Sequence, residues 1–110
     1  MKPVVTIVFP TLNEEAVLGR TLEDAVHWLS QHPAYQPYEM LVIDNASTDK
    51  TPNIVQSVMH KHPEVRLIRH ATNLGYAASN MTAFREAQGE VVAVLDGDGQ
   101  LTLEDLPAMH

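Results

Sequence analysis

Four short apolar runs, Val4 to Phe9, Met40 to Ile43, Val65 to Ile68 and Val91 to Leu95, alternate along this chain with segments of helical periodicity. Runs of β-branched residues with no polar alternation read as strands buried on both faces. Strands separated by helices in this manner predict right-handed βαβ crossovers, a parallel sheet and helices on both sides of it. The expected fold class is α/β, a Rossmann-like three-layer αβα sandwich with a mostly parallel sheet in the order 3-2-1-4. In that order the connections reverse beside the first strand, which opens a crevice at the C-terminal ends of strands one and four.

The helices are read from their apolar spacing. Leu18, Leu22, Ala25, Val26 and Leu29 recur at helical intervals, with Asn13 as the expected N-cap, Glu14 and Glu15 in the first turn and a stop before Pro33. Pro10 is expected to end the first strand. Thr51-Pro52 reads as an N-cap with proline at the first helical position, and Ile54, Val55, Val58 and Met59 as that helix's buried face. The loop Asn73-Leu74-Gly75 leads to a third helix with Ala77, Met81 and Phe84 inward and Gly89 as its C-cap. Thr102-Leu103-Glu104-Asp105 reads as the capping box of a last helix.

At 110 residues the chain is a single domain, expected to break off before an acceptor-binding part. Seven basic against fourteen acidic side chains give a formal charge of −7, with no basic stripe for nucleic acid. No cysteine is present, so disulfides and thiolate metal sites are excluded, in keeping with a cytoplasmic setting. No apolar run approaches membrane-spanning length, so membrane contact is expected only through regions outside this chain, at the membrane face of a longer protein. Six histidines invite a metal reading, but His60, His62, His32 and His70 are expected to be solvated side chains, and Trp28 and Phe84 core or subunit contacts.

Three polar loops are expected at the C-terminal edge of the sheet: Pro10 to Glu14, Asp44 to Asp49, and Asp96 to Gln100. Asp96 and Asp98 repel each other unless a cation or proton is shared, and with the Gln100 amide they form a hard-oxygen set suited to a divalent ion. Asp44, directly after an apolar strand, is a desolvated acceptor for a base N–H. Thr11, read as exposed, and the amides of the following helix are expected to face a nucleobase or ribose. Asp49 reads as a helix-capping residue.

In order, Pro10-Thr11-Leu12-Asn13-Glu14-Glu15, Val42 to Asp49, Asn73-Leu74-Gly75-Tyr76-Ala77 and Asp96-Gly97-Asp98-Gly99-Gln100 resemble the inverting nucleotide-sugar glycosyltransferases of family 2, with a GT-A fold. The last segment is similar to the D-x-D-x-Q form of polyprenyl-phosphate sugar transferases such as dolichyl-phosphate mannosyltransferase. The resemblance implies the N-terminal half of a GT-A fold, acting in cell envelope or glycan biosynthesis. It implies a donor site of Pro10, Thr11, Asn13, Glu14, Asp44, Asn73, Gly75 and Asp96, and a Mg²⁺ or Mn²⁺ site of Asp96, Asp98 and Gln100. The donor would be a UDP- or GDP-sugar, the acceptor a polyprenyl phosphate or glycan, and the general base would lie beyond His110, leaving this part inactive alone. Asn45 stands where many members carry a second acidic residue, and Met81 and Thr82 where many carry glycine.

Two rival readings start from the same acidic loop. Asp96, Asp98, Gly99, Gln100, Leu101 and Asp105 nearly match an EF-hand-like calcium loop, although its first ligand position falls on Val94 and a strand replaces the entering helix. Asp96-Gly97-Asp98-Gly99-Gln100 also imitates the D-x-D-G-T loop of haloacid dehalogenase-like phosphatases, which needs later motifs.

Overall fold

The computed structural model describes residues 3–94. The strands are β1 (Val5–Thr11), β2 (Tyr38–Asp44), β3 (Val65–Arg69) and β4 (Val91–Val94); the α-helices are α1 (Leu18–Ser30), α2 (Thr51–Lys61) and α3 (Tyr76–Glu86). A single 3₁₀ turn, Pro33–Tyr35, follows α1. The four strands form one parallel sheet in the order β3-β2-β1-β4, as the alternating pattern predicts. The capping box at Thr102 to Asp105 and the acidic loop Asp96 to Gln100 lie outside the described residues.

Alternation along each strand sorts the core into two layers. On one face Val5, Ile7 and Phe9 of β1 and Met40 and Val42 of β2 pack against Leu18, Leu22, Ala25, Val26 and Leu29 of α1 and against Val55 and Val58 of α2. On the other face Val8, Leu41 and Ile43 meet Ala83 of α3, with Ile68, Val92 and Val94 partly buried beside them. The helices therefore cover both sides, two on one and one on the other.

Five local expectations are corrected. Pro10 does not end β1, which runs on to Thr11 with Pro10 opposite Ile43 and Thr11 opposite Asp44. Pairing with β2 continues past the missing proline N–H, the Thr11 carbonyl accepting the Asn45 N–H at 2.9 Å. Helix α1 starts at Leu18 with Val17 as N-cap, because Asn13 is drawn into a loop at φ 53°. Thr51 lies inside α2, one residue after the N-cap Lys50.

Helix α3 is the largest correction. Its buried residues are Ser79, Thr82 and Ala83, while Ala77 is exposed and Met81 and Phe84 are 69% and 61% exposed. Phe84 is thus no core contact. Small side chains let the helix lie close on the sheet, so that the bulky ones point away.

Gly89 does not cap α3, whose C-cap is Ala87. It lies where the chain enters β4 against the start of β1, and its N–H donates to the Thr6 hydroxyl at 2.9 Å. That hydroxyl in turn donates to Glu39 Oε1 at 3.1 Å, and Glu39, 5% exposed, is paired with Arg66 at 3.3 Å. A Cβ at Gly89 would stand 2.5 Å from the Thr6 backbone nitrogen. Gly89→Ala is therefore expected to cost roughly 2 kcal/mol or more, as overpacking against backbone does. Urea denaturation checks this by a lower midpoint at unchanged slope.

Candidate functional site

The C-terminal edge of the sheet is where β1 and β2 end together, Thr11 opposite Asp44. Asp44 is completely buried. A carboxylate in that position needs compensation, and it has three donors. The Ser47 hydroxyl donates to Oδ1, while the Ser47 N–H at 3.3 Å and Arg69 Nε at 3.2 Å donate to Oδ2. Arg69 is half exposed, so the pair is buried on one side and open to solvent on the other.

Ser47 also receives the N–H of Asn13 at 2.8 Å, the first of three such links. The Glu14 N–H donates to the Thr51 hydroxyl at 2.9 Å and the Glu15 N–H to Asp49 Oδ2 at 3.2 Å. In the opposite direction the Thr48 and Asp49 N–H groups donate to Asn13 Oδ1 at 2.8 and 3.3 Å. Three successive amides of the β1–α1 loop are thus used up inside the protein. They are not aimed at a ligand, contrary to the expectation for amides beyond Thr11. Thr11 is itself only 3% exposed, its hydroxyl donating to the Ile43 carbonyl at 3.4 Å and its carbonyl accepting from the Asn45 N–H.

The two loops hold backbone that would otherwise be unfavourable. Ala46 has φ 70°, a left-handed conformation that costs a non-glycine residue about 1 kcal/mol. It sits between Asn45 and Ser47, both buried and both hydrogen-bonded. Gly75, at φ 88°, caps the start of α3 where a Cβ would be strained.

The third loop joins the same edge through side chains. Asn45 Nδ2 donates to Asn73 Oδ1 at 2.7 Å, which also accepts the Gly75 N–H at 2.9 Å. Asn45 Oδ1 accepts the Leu74 N–H at 2.9 Å and lies 3.1 Å from His70 Nδ1. Of the residues expected here, the structure brings Pro10, Thr11, Asn13, Glu14, Asp44, Asn73 and Gly75 to one edge. Asp96, Asp98 and Gln100 lie outside the described residues, which stop at Val94, opposite Val8 of β1. Among the described residues no cluster of three or more His, Cys, Asp or Glu side chains could hold a metal ion.

Arg69 and His70 belong to this edge too. With Ala46, Ser47, Thr48 and Ala71 they line an open cavity of about 470 Å³ beside Asp44. The sequence signal for Arg69 was its place at the end of an apolar run, and the register sets it directly opposite Asp44. His60 is exposed as expected, whereas His32, His62 and His70 correct the expectation of solvated side chains. His70 is half-buried and bonded at both ring nitrogens, His62 is bonded to Glu23 at 2.8 Å, and His32 stacks on Trp28 with ring centres 3.7 Å apart. A larger depression, about 910 Å³, is lined by Trp28, His32 and Tyr35. It lies at the C-terminal end of α1, which runs back from the site, so it belongs to the other end of the sheet.

With this geometry in place, the chain was compared with known proteins. The profile of Glycosyl transferase family 2 matches residues 6–109. The chain belongs to that family. It is similar to a dolichyl-phosphate beta-glucosyltransferase of Trichomonas vaginalis, with 28% identity over 96% of this chain and 32% of the relative. It is also similar to a dolichol-phosphate mannosyltransferase of Pyrococcus furiosus, with 31% identity over 96% of this chain and 28% of the relative. The chain thus spans about a third of the length of such relatives.

Among solved structures, the mannosyltransferase PcManGT of Pyrobaculum calidifontis, in complex with GDP-Man and Mn²⁺, superposes with a TM-score of 0.76 at 32% identity. That match covers 89% of this chain and 28% of the neighbour. TarS 1-349 of S. aureus in complex with UDP gives a TM-score of 0.76 at 28% identity, covering 98% of this chain and 31% of that chain. Family membership and these neighbours support the GT-A reading and leave the calcium-module and phosphatase readings without support. No helix among the described residues is long and apolar enough to cross a membrane.

Asp49 is the residue whose ionisation most clearly serves this edge. Desolvation works against its charge. Hydrogen bonds from the Thr51 hydroxyl and amide, the Glu15 amide and its own amide outweigh that and hold the carboxyl below its ordinary value. A depressed folded pKa stabilises above the unfolded value, about 3.9, and that contribution is lost as pH falls through the folded value. Asp49→Asn is therefore expected to lower stability at neutral pH, and the gap to the parent chain is expected to close under strongly acidic conditions. Thermal midpoints measured across pH check this, and a gap that stays constant down to pH ~2 counts against the carboxylate's role.

Proposed function

We propose that this chain is the nucleotide-sugar-binding part of an inverting glycosyltransferase that moves a hexose from a UDP- or GDP-sugar to an acceptor. One observation carries the reading. Asp44, a fully buried carboxylate, stands at the C-terminal edge of a parallel sheet beside an open cavity of about 470 Å³ walled by Arg69. This is where open α/β sheets receive ligands. Three of the four lone-pair positions of Asp44 are occupied, so its first part is to fix Ser47 and Arg69, which line that cavity, and at most one position on Oδ1 is left for a base N–H.

In this reading Thr11, Asn13 and Glu14 act through the loop they brace, Pro10 closes the wall beside them, and Asn73 and Gly75 form the opposite side. Asp96 would lie by the ribose and diphosphate, and Asp96, Asp98 and Gln100 would hold Mg²⁺ or Mn²⁺. Two carboxylates and an amide oxygen are a fitting donor set for such a hard cation, and β4 brings the chain to within two residues of Asp96 alongside β1. The bound cation supplies neutralisation of the charge that develops on the departing nucleoside diphosphate. The chemistry is a single displacement at the anomeric carbon. Acceptor recognition and the general base are left to chain outside this part. Relatives named for dolichyl phosphate support a polyprenyl phosphate as acceptor, with the site at the cytoplasmic membrane face.

The test is a thermal-shift panel of UDP, GDP, CDP and dTDP, each with and without Mn²⁺. One nucleotide with Mn²⁺ is expected to raise the midpoint by on the order of 10 °C at a hundredfold excess over Kd, equivalent to about 2.7 kcal/mol. Stabilisation by Ca²⁺ alone, or by no nucleotide in the panel, would remove the proposal.

A further inference from the structure

His70 follows β3 and is held at three points. Its backbone N–H donates to the Asp44 carbonyl at 2.9 Å, Nδ1 lies 3.1 Å from Asn45 Oδ1, and Nε2 lies 2.9 Å from the Thr82 hydroxyl of α3. Which ring nitrogen carries the proton follows from two neighbouring backbone amides. The Leu74 N–H donates to Asn45 Oδ1 and the Gly75 N–H donates to Asn73 Oδ1, so both of these atoms are oxygens. An oxygen that only accepts must face a donor, so Nδ1 carries the hydrogen. Nε2 pairs with the Thr82 hydroxyl, a group that can donate or accept.

The consequence is a closed circuit. Asn45 Oδ1 is filled by His70 and Leu74, and Asn73 Oδ1 by Asn45 and Gly75. From Thr82 through His70, Asn45 and Asn73 to Gly75, the relay returns to the helix it left, since Gly75 is the N-cap of α3 and Thr82 lies within it. Turning the Asn45 carboxamide would put its NH₂ group against the Leu74 amide, with donor facing donor. The His70 Nδ1–H is a second donor on the same oxygen and adds a side-chain restraint to that of the Leu74 amide.

We infer that His70 is a positioning residue of the donor site: through Nδ1–H it sets the Asn45 carboxamide, and Asn45 sets the Asn73-Leu74-Gly75 loop against the edge that carries Asp44. The inference rests on the donor-site reading above. It makes the Nδ1–H of His70 part of the binding apparatus, although the ring need not touch the nucleotide.

Two isosteres separate this role from simple packing. Asn at 70 places an amide N–H near Nδ1, whereas Gln places one near Nε2 and leaves Asn45 without its donor. Calorimetry with the stabilising nucleoside diphosphate and Mn²⁺ is expected to give roughly tenfold weaker binding for His70→Gln, and recovery of most of the affinity for His70→Asn. Equal affinities for the two variants would overturn the inference and leave the donor site standing. A parent chain that binds no nucleotide would overturn the donor site and this inference together. A direct reading needs no variant: long-range ¹H–¹⁵N correlation of the parent chain is expected to show His70 with its hydrogen on Nδ1, in a resonance that moves on nucleotide addition. A hydrogen on Nε2 alone, or a Nδ1–H signal indifferent to nucleotide, would also overturn it.

Discussion

Burial of the Asp44 carboxylate is the constraint around which this edge of the molecule is arranged. Placing a charge at the end of a strand with no solvent contact is costly unless donors converge on it. Here one donor is a guanidinium from β3, and the others come from the loop that leaves β2. Ser47 passes the requirement on, since the hydroxyl that donates to Asp44 also accepts from Asn13 in the loop after β1. A single buried charge thereby couples β1, β2 and β3 at their C-terminal ends.

The coupling explains why loops rich in Asn, Ser, Thr and Asp are rigid enough to shape a site. Asn13, Asp49 and Thr51 exchange five of the hydrogen bonds that join the two loops, each across more than thirty residues of sequence. Such residues commonly satisfy their own local backbone in turns and caps. Here they satisfy the neighbouring loop. The cost of holding Ala46 in a left-handed conformation is met by ordered partners on both sides. The two faces of the sheet differ in the same spirit: α1 and α2 seal one with large apolar side chains, and α3 lies on the other through small and hydroxylated ones.

Much of this was legible from residues alone. The buried face of α1, Leu18 through Leu29, is the same set that periodicity selects, and the strand order follows from the alternation of elements. The reading failed at α3 because apolar character was taken as the inward signal. Met81 and Phe84 are apolar yet exposed, whereas Thr82 and Ser79 are buried, because the face of the helix that meets Val8, Leu41 and Ile43 is the one that carries Ala83 and the small hydroxylated side chains. It failed at Thr11, where strand pairing with Asp44 runs past Pro10 and buries a side chain expected to be open. It failed at His70 for a related reason, since nothing near that residue in the sequence indicates Asn45 or Thr82 as partners.

What the sequence by itself determined is the class of fold, the parallel sheet with its order, the family, and the edge at which Asp44 and the polar loops gather. These depend on local period, composition and short motifs, which are written in neighbouring residues. Only the tertiary structure decided which polar groups at that edge are already taken: the amides of Asn13, Glu14 and Glu15 by the β2–α2 loop, three positions of Asp44 by Ser47 and Arg69, and Asn73 Oδ1 by Asn45 and Gly75. Hydrogen-bond capacity is finite and its partners are chosen by distance in space. A motif can name the residues of a site, and the fold determines which of their atoms remain for a ligand.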